Sequence, residues 1–171
     1  MGNIFRSASI FLKIAFACAA LGLLLFVIGF ATTSWTIVRP RSYQDTDYGL
    51  WEYKHCNGRS CSTYTYKGLN DYHRAIQAME CLALIGFSLG LLTLLLYMCM
   101  DSFRRRDFMQ AATAFIFAGL VFACIGFGLF GTKDNRENHH PGDIGWSMGI
   151  AIAGSVLYGV SGFCLVLQLV R

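Results

Sequence analysis

Apolar residues in this chain fall in four long, nearly unbroken runs, Ile10–Ala31, Ala75–Met100, Ala111–Phe130 and Ser147–Val170. Each is near the ~20 residues that a helix needs to cross a bilayer. A soluble helix would carry its apolar residues on one stripe with a 3.6-residue period, but a segment such as CLALIGFSLGLLTLLLYMCM is apolar on every face. The pattern predicts membrane-spanning helices over 10–31, 75–100, 108–130 and 147–170. They are joined by a long loop (32–74), a very short one (101–107) and a third (131–146). The first run exceeds the 7–15 apolar residues of a signal peptide and lacks a small-x-small cleavage site, so it reads as a retained helix.

The long loop has a different rhythm. WTIVRPRSY, YGLWEYKHC and CSTYTYK are short segments rich in Trp, Tyr, Thr and Val, separated by polar or glycine-containing turns. In the last, Tyr64 and Tyr66 fall on one face and Thr63 and Thr65 on the other, the period of a strand. Asn57 and Gly58 tolerate positive φ and suit a hairpin turn. A small antiparallel sheet is expected, backed by the helix ends beneath it.

Composition agrees with lipid as the main solvent, since 55% of residues are hydrophobic and 14% charged, against about a quarter charged in soluble domains. The net charge of +4 does not form a nucleic-acid surface, because Lys and Arg are dispersed along the chain. Three consecutive arginines in DSFRRRD flank helix ends, where the positive-inside rule weighs most, so loop 101–107 and both termini are expected to be cytoplasmic. The long loop is itself basic (Arg39, Arg41, Lys54, Arg59, Lys67, Arg74), but long loops translocate with less regard for charge. Of the seven cysteines only Cys56 and Cys61 lie outside the apolar runs, on the side assigned as oxidising. A structural disulfide suits them best. A redox pair would favour C-x-x-C spacing, and a metal site with His55 lacks a convincing fourth ligand. Cys18, Cys81, Cys99, Cys124 and Cys164 read as small buried hydrophobes, with palmitoylation an alternative for Cys99.

Trp35, then Gly49-Leu50-Trp51, then Cys56 and Cys61, all in the first loop of a four-span chain, resemble the W, GLW, C, C signature of the claudin, peripheral myelin protein and epithelial membrane protein superfamily. The gamma subunits of calcium channels share it. Gln77-Ala78 and Gly145-Trp146-Ser147 resemble the family's QA and GWS motifs. The spacing departs from the family's: four residues separate Trp51 from Cys56, where the family typically has about two, and four separate the cysteines, where it has roughly eight to ten. The resemblance implies a left-handed four-helix transmembrane bundle crowned by a small extracellular antiparallel sheet. It also implies a protein that meets further copies of itself within one membrane and across to the next cell, at plasma-membrane junctions, forming or regulating a paracellular barrier. Within the same resemblance stand a peripheral myelin type organiser of membrane and adhesion, and an auxiliary subunit bound to an ion channel. Loop 131–146, with Asn135, Glu137, His139 and His140, is implied as the contact to the opposing cell.

The first loop holds six basic and four acidic residues. If its sheet lined an intercellular pore, Arg59 and Lys67 would favour anions; a solvated sheet face is the plainer alternative. His139 and His140 could sense pH or bind a metal, but adjacent histidines in a polar loop are commonly just solvated. Glu80 lies about five residues into the second span, roughly 7 Å deep at 1.5 Å per residue. There an acid is costly unless paired, and Arg74 or Arg39 is the expected partner. Gly86 with Gly90, Gly145 with Gly149, and Ser155 with Gly159 are expected to pack the bundle internally. No paired carboxylates, no nucleophile with a partnered base and no phosphate loop suggest an enzyme, and no cofactor or metal is expected.

Overall fold

The computed structural model describes residues 9–39, 44–57, 60–68, 70–100, 103, 105–137 and 143–170, with only the backbone described at 44 and 133–137. It is a four-helix membrane bundle carrying a small antiparallel sheet at one end. In chain order the elements are α1 (Ile10–Ala31), β1 (Thr36–Val38), β2 (Gln44–Tyr48), β3 (Glu52–Asn57), β4 (Ser60–Thr65), α2 (Asp71–Cys99), α3 (Arg106–Glu137), β5 (Asp143–Ile144) and α4 (Trp146–Val170). All four helices are long and apolar enough to cross a membrane. At 29 residues α2 is about 44 Å long, well beyond the ~30 Å of a hydrocarbon core. Its first turns therefore stand clear of the apolar span, beside the sheet.

The bundle is two close pairs, α1 along α4 and α2 along α3. Helices in lipid gain little from hydrophobic exclusion and rely on close backbone packing. In the first pair, Gly22 and Gly154 face each other. A Cβ added to Gly22 would lie 2.8 Å from the Gly154 carbonyl, and one on Gly154 would lie 2.7 Å from that of Gly22. A Cβ on Gly29 would come within 2.6 Å of the Ser147 carbonyl. In the second pair Gly86 sits against Gly119, and Gly90 against Ile116. Gly86 and Gly90 thus pack internally as expected, whereas Gly149 meets nothing within 4 Å and Gly159 only Leu120. The two pairs are joined through Tyr158, whose ring stacks on Phe87 at 3.9 Å and whose hydroxyl donates to the Phe87 carbonyl. Ser161 donates to the Ala15 carbonyl across the α1–α4 seam. At the end remote from the sheet, Ser9 caps α1 and hydrogen-bonds Gln168, while Arg106 donates to the Leu169 carbonyl.

The sheet runs in the order β4-β3-β2-β1-β5, every pair antiparallel. Strand β2, QDTDY, has no apolar alternation to announce it, and β5 is two residues long. Both are defined by their neighbours' unpaired backbone groups rather than by their own pattern. Residues directly opposite each other share a face. One face carries the row Thr36, Tyr48, Tyr53, Tyr64, and the other the row Asp143, Ile37, Asp47, Lys54, Thr63.

The two seams make a discriminating prediction. Gly154→Ala places a methyl against backbone atoms that cannot swing aside and should cost about 1–3 kcal/mol. Gly149→Ala, in open space, should leave stability unchanged or raise it by up to about 1 kcal/mol through helix propensity. Thermal unfolding of the two variants in detergent measures both, and equal effects would contradict the packing.

Candidate interface site where the sheet meets the bundle

The sheet is fastened to the helices by a small group of residues gathered from distant parts of the chain. Trp35, immediately before β1, is fully buried (0% exposed) and packs on Phe127 and Phe130 of α3, with ring centroids 5.9 and 5.1 Å away. Its indole N–H donates to the Gly29 carbonyl at 2.7 Å. That carbonyl belongs to the last turn of α1, which has no intrahelical donor of its own to call on. Thr32 satisfies the neighbouring Ile28 carbonyl through both its amide and its hydroxyl. Trp35 therefore both fills the core beneath the sheet and finishes the helix that precedes it.

Gly49-Leu50-Trp51 forms the turn between β2 and β3. The Gly49 amide donates to the Glu52 carbonyl at 2.9 Å, and a Cβ on Gly49 would lie 2.6 Å from the Thr33 Cα, so the turn lies directly on the chain leaving α1. The Leu50 side chain is fully buried with Trp35, Ile76, Phe130 and Met148. Its carbonyl accepts from His73 Nε2 at 2.9 Å and from Gln77 Nε2 at 2.8 Å, both from the raised first turns of α2. Because a carbonyl only accepts, His73 must carry its proton on Nε2. Trp51 points outward, 37% exposed, with its ring edge-on to Phe30 at 5.2 Å.

The flanks are tied in the same way. Tyr66 donates to the Gly49 carbonyl and packs between Tyr53 and His73. Burial, reinforced by Tyr48 and Tyr53, pushes its phenol far above the usual range, which keeps it a donor. Tyr72 donates to the Leu129 carbonyl of α3. At the start of α4 the Gly145 amide donates to the Trp35 carbonyl, Ser147 to the Ser34 carbonyl, and the Ser34 amide to Ser147 Oγ. Gly145 has no room for a side chain against Ser34. The GWS segment thus extends the sheet and starts the last helix in one stroke.

The structure places the remaining sequence candidates elsewhere. Cys56 and Cys61 are directly opposed in the β3–β4 register and joined by a disulfide, at the end of the hairpin farthest along from the Leu50 turn. Lys67 is exposed just past β4. Arg59, His139 and His140 lie outside the described residues, as does Arg41; Asn135 and Glu137 fall in the last turns of α3 with only their backbone described. Charge on the strands is mainly acidic. By cross-strand pairing, Asp45, Asp47, Glu52 and Asp143 share one face with Lys54. Among the described residues no group of three or more His, Cys, Asp or Glu could hold a metal ion.

Glu80 overturns an expectation. Arg74 lies 4.0 Å from Asp71 one turn away, and Glu80 is fully buried with neither carboxyl oxygen hydrogen-bonded among the described residues. It faces α3 at Gly126, where a Cβ would collide with the carboxyl group. The side chain turns into the α2–α3 seam, away from the loop arginines, because Gly126 leaves a niche there. Sequence reasoning missed His73 as a structural donor, since it belongs to no pattern visible along the chain, and it singled out Ser147 only within the GWS motif; the fold brings the two to Leu50 and Ser34.

A model of the PMP-22/EMP/MP20/Claudin family matches residues 8–165. No curated protein matches the chain.

An orphaned buried polar group costs about 1–3 kcal/mol relative to an apolar one of similar shape. Glu80→Met should therefore raise stability by about 1–3 kcal/mol in thermal unfolding. A loss of that size would mean that Glu80 has a partner.

Proposed function

This chain belongs to the PMP-22/EMP/MP20/Claudin family, and from that premise we propose that it mediates cell–cell contact, assembling with further copies of itself to form or regulate a paracellular barrier. The observation that best supports this reading is the fastening of the sheet to the bundle. With Trp35 and Leu50 buried and β3 stapled to β4, the outermost strand β4 is held out rigidly with every residue exposed. An outer strand presents unpaired backbone groups to a neighbour. Orientation follows from charge: Arg105 and Arg106 sit at the head of α3, remote from the sheet, so the positive-inside rule puts that end in the cytoplasm and the sheet outside. Any path between cells lined by the strands would meet the carboxylates of Asp45, Asp47, Glu52 and Asp143 beside Lys54. Those carboxylates would draw cations, as Arg59 and Lys67 would draw anions.

A second reading, an auxiliary subunit of an ion channel, draws support from an apolar groove of about 480 Å³ between α3 and α4. Leu120, Phe127, Gly159 and Phe163 are among its lining, a surface that a partner's helix could pack against.

Expression in cells that lack junctions separates these readings. The protein should concentrate where two expressing cells touch, and not where an expressing cell meets a non-expressing one. Replacing both Cys56 and Cys61 by Ser should abolish the enrichment while surface biotinylation still detects the protein. Uniform distribution around touching cells would refute the contact role, and stoichiometric co-purification of a channel would favour the second reading.

A further inference from the structure

We propose that the cavity at the sheet end of α1, beside Trp51, binds the choline head group of a membrane phospholipid. The cavity has a volume of about 270 Å³ and is lined by Phe30, Ala31, Thr32, Thr33, Trp51 and Glu52. Its position comes from the turn described above. The Gly49–Glu52 hydrogen bond and the seat of Gly49 on Thr33 carry Trp51 and Glu52 over the end of α1.

Two electrostatic features of the lining favour a cation. Glu52 is the one ionisable residue among the six, and among the described residues no ion pair engages it. The C-terminus of α1 ends at Ala31 and brings the negative end of its dipole to the cavity. Both aromatic residues of the lining, Phe30 and Trp51, stand beside each other with their rings at 63°. Aromatic faces attract quaternary ammonium groups in this way.

The same lining discriminates between cations. The Thr32 hydroxyl is already spent on the Ile28 carbonyl at 2.7 Å, and that carbonyl also receives the Thr32 amide. A primary ammonium would have to trade a tightly held hydration shell for the Glu52 carboxylate and ring faces that take only part of its three N–H donors. A trimethylammonium group has no N–H and only its diffuse charge to place.

Location selects a lipid as the source. The cavity sits where α1 leaves its apolar span, the depth at which head groups and interfacial tryptophans are found. Directly below, Leu24, Val27 and Ile28 of α1 are exposed at 56%, 40% and 38% and form an apolar track for acyl chains.

The test is native mass spectrometry of the full-length protein in maltoside detergent, with equimolar phosphatidylcholine, phosphatidylethanolamine and phosphatidylglycerol of identical chains. Phosphatidylcholine should be retained about tenfold over phosphatidylethanolamine, and phosphatidylglycerol least. Trp51→Ala should reduce the preference over phosphatidylethanolamine about fivefold or more while Trp51→Phe keeps most of it, and Glu52→Gln should reduce the preference over phosphatidylglycerol about fivefold or more. Unfolding temperature and an intact disulfide establish that each variant is folded, and Glu52→Gln alone decides the matter if Trp51→Ala is not. Equal retention of the three lipids, or an unchanged preference over phosphatidylglycerol in Glu52→Gln, would overturn the site. Free choline retained as well as the phospholipid would overturn its assignment to lipid.

Discussion

The carbonyl oxygen of Leu50 is the point at which the sheet is tied to the membrane bundle. It accepts from both His73 and Gln77 while its own side chain is buried with Trp35 against α2, α3 and α4. Five short strands with much of both faces exposed cannot hold together in water on their own. The sheet has no separate hydrophobic core; it borrows one from the helix ends. Trp35 completes the arrangement from the other side, since the same ring that fills the space under the sheet caps the last turn of α1. The sheet therefore draws its stability from the helices.

That arrangement places demands on the bundle. For the sheet to have a floor, α2 must rise past the membrane boundary, and α1 must end close enough to α4 for Ser34 to reach Ser147. Glycines at 22, 29 and 154 supply the second condition by letting the helix backbones touch. The α2–α3 seam uses Gly86 and Gly119 in the same way, and at Gly126 it admits a carboxyl group that gains no hydrogen bond there. Glu80 is the feature that packing alone does not justify. A group of this kind marks a site where stability gives way to some other requirement.

Much of this was legible along the chain, and for physical reasons. Membrane spans announce themselves because lipid demands about twenty apolar residues in a row, so the four helices stand out; the Trp, GLW and cysteine pattern also identified the family to which the chain belongs. The hairpin was readable from the Tyr/Thr alternation around Tyr64 and from the paired cysteines. Strand β2 was not, because QDTDY owes its place to backbone pairing with β1 and β3 rather than to burying one face. The two residues of β5 are too few to show a period. Gly22, Gly29 and Gly154 escaped because no G-x-x-x-G links them within one helix; the close approach exists only between helices. The pairing foreseen for Glu80 failed because side-chain direction around a helix depends on where the neighbour leaves room, and Gly126 supplied that room on the opposite side.

The functional picture rests on the sheet being a rigid extension of the membrane bundle, able to present β4, the acidic strand face and the Trp51 corner in fixed positions. Hydrogen–deuterium exchange tests that claim most directly. In a variant with His73→Leu and Gln77→Leu, the amides of β1, β2 and β3 should lose protection by about tenfold or more, while the central amides of α1 and α4 keep theirs. If the strand amides of that variant exchange as slowly as those of the unaltered protein, the Leu50 clasp is not what holds the sheet, and the account is wrong.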